Sequence, residues 1–159
     1  MTVDVSGMIT VDALTPPQEE DDLSEYALAQ DARNYLLSHD WCAGIEAGYV
    51  GMVYAGILGV FYFRIEPAYS GVDEEVWVIV GDLPPAYITC EACPNPATAL
   101  DGYCGAMQEW IRAVRGGDPI EDLIPVNTPP TKEYADMLAS RLEFIDKQIL
   151  SQYEDDLGS

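Results

Sequence analysis

The fold class predicted is α+β: a single domain in the order helix-β-β-β-β-helix-helix, with helices packed on a mostly antiparallel four-stranded sheet. Three observations predict it. Strand-like segments are bunched in the middle of the chain with short connections, which favours an antiparallel meander. Helical stripes of apolar residues flank them on both sides. At 159 residues and 48% hydrophobic, the chain has the size of one domain and can bury roughly 70% of its unfolded surface.

Residues 1–20 read as an acidic, loosely ordered arm, because Pro16-Pro17 followed by Gln18 to Asp22 holds little apolar surface to bury. The domain proper is expected over 21–153, with an acidic tail at 154–159. Asp22-Leu23-Ser24-Glu25 has the capping-box pattern and predicts a helix to about Ser38, with Tyr26, Ala29, Tyr35 and Leu36 on its buried face.

Ala47 to Phe63 is a run of 17 uncharged residues, the lower limit for a membrane-spanning helix. Its glycines, its β-branched and aromatic content and the break at Ala55-Gly56 read instead as two buried strands joined by a turn. Gly48, Gly51, Gly56 and Gly59 mark places of close approach. Alternation then places Val60, Tyr62 and Arg64 on one face and Phe61, Phe63 and Ile65 on the other. Glu75 to Val80 is too apolar for a solvated face, and Ala86 to Cys90 reads as a short last strand, opened by Pro84 and Pro85.

Asn95-Pro96 pairs a cap with proline at the first helical position. Leu100, Tyr103, Cys104, Met107, Trp110, Ile111 and Val114 follow at helical spacing, and Gly116-Gly117 ends the helix. Thr131 caps a third helix with the stripe Tyr134, Leu138, Leu142, Ile145 and Ile149.

Charge narrows the function. Twenty-eight acids against seven Lys and Arg give a formal charge of −21, which repels nucleic acid and anionic lipid and favours a basic protein. A lysine-poor, generally acidic proteome produces the same balance. The first 32 residues hold eight acids and no base. Candidate partner-binding residues are Glu19, Glu20, Asp21, Asp22 and Glu25, then Asp73, Glu74 and Glu75, then Asp118, Glu121 and Asp122. Ten tyrosines and three tryptophans supply the aromatic area that partner surfaces use beside such acids.

Met1 to Ser6 lacks a basic region and Asp4 and Asp12 interrupt any apolar core, so a cytoplasmic protein with reduced thiols is expected. Cys90 and Cys93 form a CxxC that Cys104 and Cys42 would have to complete as a metal site; no second close pair is present, and Pro94-Asn95-Pro96 interrupts the redox pattern. His39, the one histidine, stands near Asp40 and Cys42 but suits a helix C-terminus better than a nucleophile-base pair. Asp82, with Glu46 or Glu66, is a candidate carboxylate pair, although a strand-end Asp before Pro-Pro reads first as a turn residue. Phosphate-loop, nucleophile-elbow, zinc-protease and calcium-loop patterns do not occur.

No catalytic residue, metal or cofactor is therefore assigned. The expectation is a non-enzymatic protein that binds and neutralises a basic partner, in the manner of an immunity protein or an acidic nucleic-acid mimic. The alternative is a small-molecule-binding or catalytic domain with a pocket between the glycine-rich strands and the helices, using Trp41, Glu46 and Asp82. Self-association through the glycine-rich hairpin or the last helix is the third reading.

Overall fold

A computed structural model describes Val3 and residues 5–16, 24–89, 93–124, 126 and 129–157. Its centre is a sheet of five antiparallel strands in sequence order: β1 (Ile9–Thr10), β2 (Cys42–Tyr54), β3 (Leu58–Pro67), β4 (Glu75–Gly81) and β5 (Ala86–Thr89). Four strands were expected; the fifth is β1, which pairs Ile9 with Val50 and Thr10 with Tyr49. Two residues are too few to display a strand period. The pairing lies inside the segment read as an arm, where Val3 and Val11 are buried.

The two middle strands have no solvated face. Val60, Tyr62, Trp77 and Ile79 point to one side, and Phe61, Phe63, Val76, Val78 and Val80 to the other. Helix α1 (Glu25–Leu37) covers the second side through Leu28, Ala29, Ala32 and Leu36. Helices α2 (Pro96–Gly116) and α3 (Lys132–Phe144) cover the first. The expected alternation along β3 is borne out, and the uncharged run is the β2–β3 hairpin, turning at Gly56 with φ +84°. No helix among the described residues is long and apolar enough to cross a membrane.

The helices form where the caps allow. Ser24, not Asp22, caps α1, its side chain accepting the Ala27 N–H at 3.2 Å; Asp22 lies outside the described residues. Asn95 and Thr98 close a reciprocal capping box on α2, and Gly117 ends it in a left-handed conformation. Thr131 caps α3 as expected.

The buried faces differ from expectation in two places. On α1 the fully buried positions are small or aliphatic, while Tyr26 and Tyr35 are half-buried. On α3 Ala135 takes the core position and Tyr134 is exposed. Past α3 the expected three-helix order is also too simple. A π-type turn (Ile145–Ile149), a 3-10 turn (Leu150–Tyr153) and a short helix α4 (Glu154–Leu157) follow, and a 3-10 turn (Val11–Ala13) follows β1. Tyr153 and Leu157 pack against the core.

Two glycines, one in the hairpin and one at the end of β4, permit close approach. A Cβ on Gly51 would stand 2.9 Å from the Trp77 ring and 3.0 Å from Pro96, so the start of α2 reaches the sheet only because nothing projects there. Gly81, at φ +140°, ends β4 with its backbone against the hairpin turn; a Cβ would lie 2.4 Å from the Ile57 carbonyl oxygen. Gly81→Ala therefore meets a rigid backbone clash and a disfavoured φ together. It should lower unfolding free energy by roughly 2–4 kcal/mol in urea denaturation, whereas Gly71→Ala, in an open turn that shares the positive φ, should cost about 1 kcal/mol.

Candidate functional site

Strand β4 carries a cleft at each end. Seven residues in extended conformation separate them by roughly 20 Å.

At the end of β4, Gly81 to Pro85 faces α3 across an apolar cleft of about 380 Å³, walled by Trp110, Val126, Tyr134, Met137 and Leu138. Asp82 stands here in an ion pair with Arg141, whose Nη2 lies 2.9 Å from Oδ2 and whose Nε donates to the Asp82 carbonyl oxygen at 2.6 Å. Both side chains are substantially exposed, so the pair contributes about 0–1 kcal/mol. On its other side a second hollow of about 270 Å³ runs to Ile57, Phe144 and Ile145. The Tyr103 hydroxyl pins one wall, donating to the Pro84 carbonyl at 2.7 Å.

At the start of β4, on the α1 side of the sheet, lies a cleft of about 250 Å³ lined by Trp41, Tyr69, Val72, Asp73, Val76, Tyr87 and Thr89. Its aromatic wall is held from behind. The His39 Nδ1 lies 2.7 Å from the Tyr35 carbonyl oxygen; since a carbonyl only accepts, Nδ1 carries the proton. Thus His39 caps the end of α1, as the sequence led one to expect. The imidazole lies 4.8 Å from the Trp41 ring with the planes tilted by 41° and meets Tyr87 edge-on at 5.5 Å. Trp41 and Tyr87 themselves meet at 4.8 Å with their planes 60° apart, forming a corner. Burial, reinforced by the nearby Tyr87, pushes the Tyr35 hydroxyl up to about 12.

The sequence-derived candidates are dispersed over this frame. Trp41 lines the aromatic cleft, Asp82 the apolar cleft at the other end, and Glu46 stands exposed on β2; the three do not converge. Glu66 is likewise exposed. Asp73 and Glu74 are exposed beside the aromatic cleft, while Glu75 opens β4 half-buried and accepts the Tyr62 hydroxyl. Glu25 lies in the first turn of α1. Asp118, Glu121 and Asp122 are exposed in the loop after α2. Glu19, Glu20, Asp21 and Asp22 fall outside the described residues. The tyrosines Tyr69 and Tyr87, which sequence reasoning did not single out, complete the aromatic cleft; Tyr87, on the short final strand, could have been placed by its period of two.

Of the cysteines, Cys90 lies outside the described residues. Cys42 is buried under α1, whereas Cys93 and Cys104 are buried on the opposite face of the sheet. Cys42 and that pair thus cannot share one metal ion. Burial raises all three thiols, Cys104 to about 12 with help from Asp101 and Asp146.

No family model matches this chain, and no curated protein or solved structure matches it either.

Two outcomes follow from these groups. Tyr103→Phe leaves the Pro84 carbonyl without its partner and should cost about 1–2 kcal/mol in urea denaturation. The raised acids also set an alkaline limit. A thiol or phenol with a higher pKa in the folded state keeps its proton on the native side, so its contribution is whole below the unfolded pKa and is lost as pH climbs through the folded one. Stability should hold to about pH 9, the ordinary value for Cys104, and then fall steadily towards pH 12 through Cys104, Tyr35 and Tyr54, whose hydroxyl is pushed up to about 12 by burial and by its hydrogen bond with the Tyr153 hydroxyl. Chemical denaturation across that range checks it, and Cys104→Ala should reduce the loss between about pH 9 and 10 without abolishing it, because the raised thiols of Cys42 and Cys93 remain.

Proposed function

We propose that this is a non-enzymatic, cytoplasmic binding protein that takes up and neutralises a basic protein partner, as an immunity protein or an acidic nucleic-acid mimic does. The observation that carries the reading is where the charge sits. No charged side chain among the described residues is buried, so the carboxylates face outward. The few cations are largely committed: Arg33 pairs with Asp12, Arg115 with Asp136, Arg141 with Asp82 and Lys147 with Glu143.

The excess is also lopsided. Residues 1–95 carry sixteen acids against Arg33 and Arg64, while the remainder carries twelve against five bases. Part of that excess stands in the loops that flank α1 and open β4. There Asp40, Asp73 and Glu74 stand exposed beside Trp41, Tyr69 and Tyr87. Acids that attract Lys and Arg, next to rigid aromatic area, are the composition of a contact surface for a basic protein.

Capture from native lysate tests this. One basic protein should be retained stoichiometrically at about 50 mM salt and released by about 500 mM, because exposed charges are screened within a Debye length. The double variant Asp73→Asn/Glu74→Gln should slow association with that protein at least about threefold at low salt without changing the melting temperature. Retention equal at both salts, or no specific basic protein at either, overturns the reading.

A further inference from the structure

The aromatic cleft at the start of β4 has a chemistry narrower than general acidity requires. Its walls are the faces and edges of Trp41, Tyr69 and Tyr87 with the methyl groups of Val72 and Val76, and its rim carries the Asp73 carboxylate and Thr89. Aromatic faces are negative and attract a cation placed over them, tryptophan most strongly. Trp77 and Trp110 are fully buried, which leaves half-buried Trp41 as the tryptophan that meets solvent. The corner between Trp41 and Tyr87, planes 60° apart, is concave, and Tyr69, 58% exposed, stands on its rim.

We propose that this cleft binds the head group of an organic cation of the quaternary or fully methylated ammonium class. The mostly apolar lining favours that class over simpler cations. A primary ammonium brings three N–H donors and a guanidinium five, and each needs an acceptor once it leaves water. The cleft offers one carboxylate and three hydroxyls, those of Thr89, Tyr69 and Tyr87, but most of its lining is aromatic and aliphatic. A methylated ammonium has no donors to satisfy, sheds its weak hydration at little cost, and keeps its charge for the ring faces and for Asp73. The size agrees: about 250 Å³ lies below the roughly 300–1,000 Å³ of pockets for drug-sized ligands, which suits a compact head group. His39, fixed by its bond to the Tyr35 carbonyl and packed at a tilt against Trp41, acts as a positioning residue that holds the indole in place. The inference stands on this geometry alone and needs no basic protein partner.

The experiment is a titration of the full chain with tetramethylammonium chloride against sodium chloride at matched ionic strength, read by tryptophan fluorescence and by the Trp41 indole N–H in NMR. The expected result is saturable binding that perturbs Trp41 and spares Trp77 and Trp110. Choline should bind comparably, and its neutral isostere 3,3-dimethylbutan-1-ol at least about fivefold more weakly. Tyr69→Ala and Asp73→Asn change exposed residues outside the core, so folding is preserved, and each should weaken binding at least about threefold. Trp41→Leu should weaken it about tenfold or more. A trimethyllysine peptide that binds more tightly than choline identifies the source of the cation as a modified protein side chain; choline binding as tightly or more so identifies a free small molecule. No saturable change beyond that of sodium chloride, or equal binding of the neutral isostere, overturns the proposal. Tetramethylammonium binding in a protein that captures no basic partner would discard the neutralisation reading and leave this one standing.

Discussion

The constraint on which the rest of the structure depends is that β3 and β4 have two buried faces. Phe61, Phe63, Val78 and Val80 look one way and Tyr62, Trp77 and Ile79 the other, so apolar area must be covered above and below at once. One helix on one side and a helix pair on the other are the economical solution. Close packing then dictates small residues where helices touch the sheet: Ala29 and Ala32 on α1, and Gly51 under the start of α2. A sheet sealed on both faces also leaves no interior place for charge. The described carboxylates therefore stand in loops, on the outer faces of helices or, like Glu46, at strand positions outside the sealed centre.

The same constraint locates the two clefts. Where β4 begins and ends, the covering layers run out, and side chains that the core cannot absorb line the gap. At one end this exposes Met137 and Tyr134 beside the Asp82–Arg141 pair. At the other it exposes one edge of an aromatic cluster whose inner members, Tyr35 and His39, are tied to the end of α1. Capping and site-building are one interaction there: the proton on His39 Nδ1 that satisfies a helix-end carbonyl also orients the ring against which Trp41 packs.

Much of the fold was legible because its signals are local. Caps at Asn95 and Thr131, the break at Gly56 and the alternation along β3 each need only a few neighbouring residues. What failed to show was set by distant packing. β1 is two residues long and earns its place by pairing with β2, forty residues away. On α3 and the turn that follows it the expected stripe holds at Leu138, Leu142, Ile145 and Ile149, but Ala135 and not Tyr134 fills its first position, in a helix that packs on α2. Aromatic residues dominate a hydrophobic stripe read from sequence, and small ones that permit close approach are undervalued; α1 shows the same error. The site was legible only in pieces. Trp41 and Asp82 were singled out for sound local reasons, yet β4 holds them at opposite ends, and the partners they have, Tyr87 and Arg141, are 46 and 59 residues distant along the chain.

Acidity and fold are consequently separable in this molecule. A charged group that is exposed and paired, if at all, on the surface contributes little to stability, and mutual repulsion among so many carboxylates works against compactness. The fold stands on a core containing no buried charge, with few charged contacts to lose. Such a core tolerates a strongly negative exterior without depending on it, so the acids are free to serve association. Where they surround an aromatic corner, their field raises the local concentration of cations, and the rings and the single rim carboxylate choose among the cations that arrive.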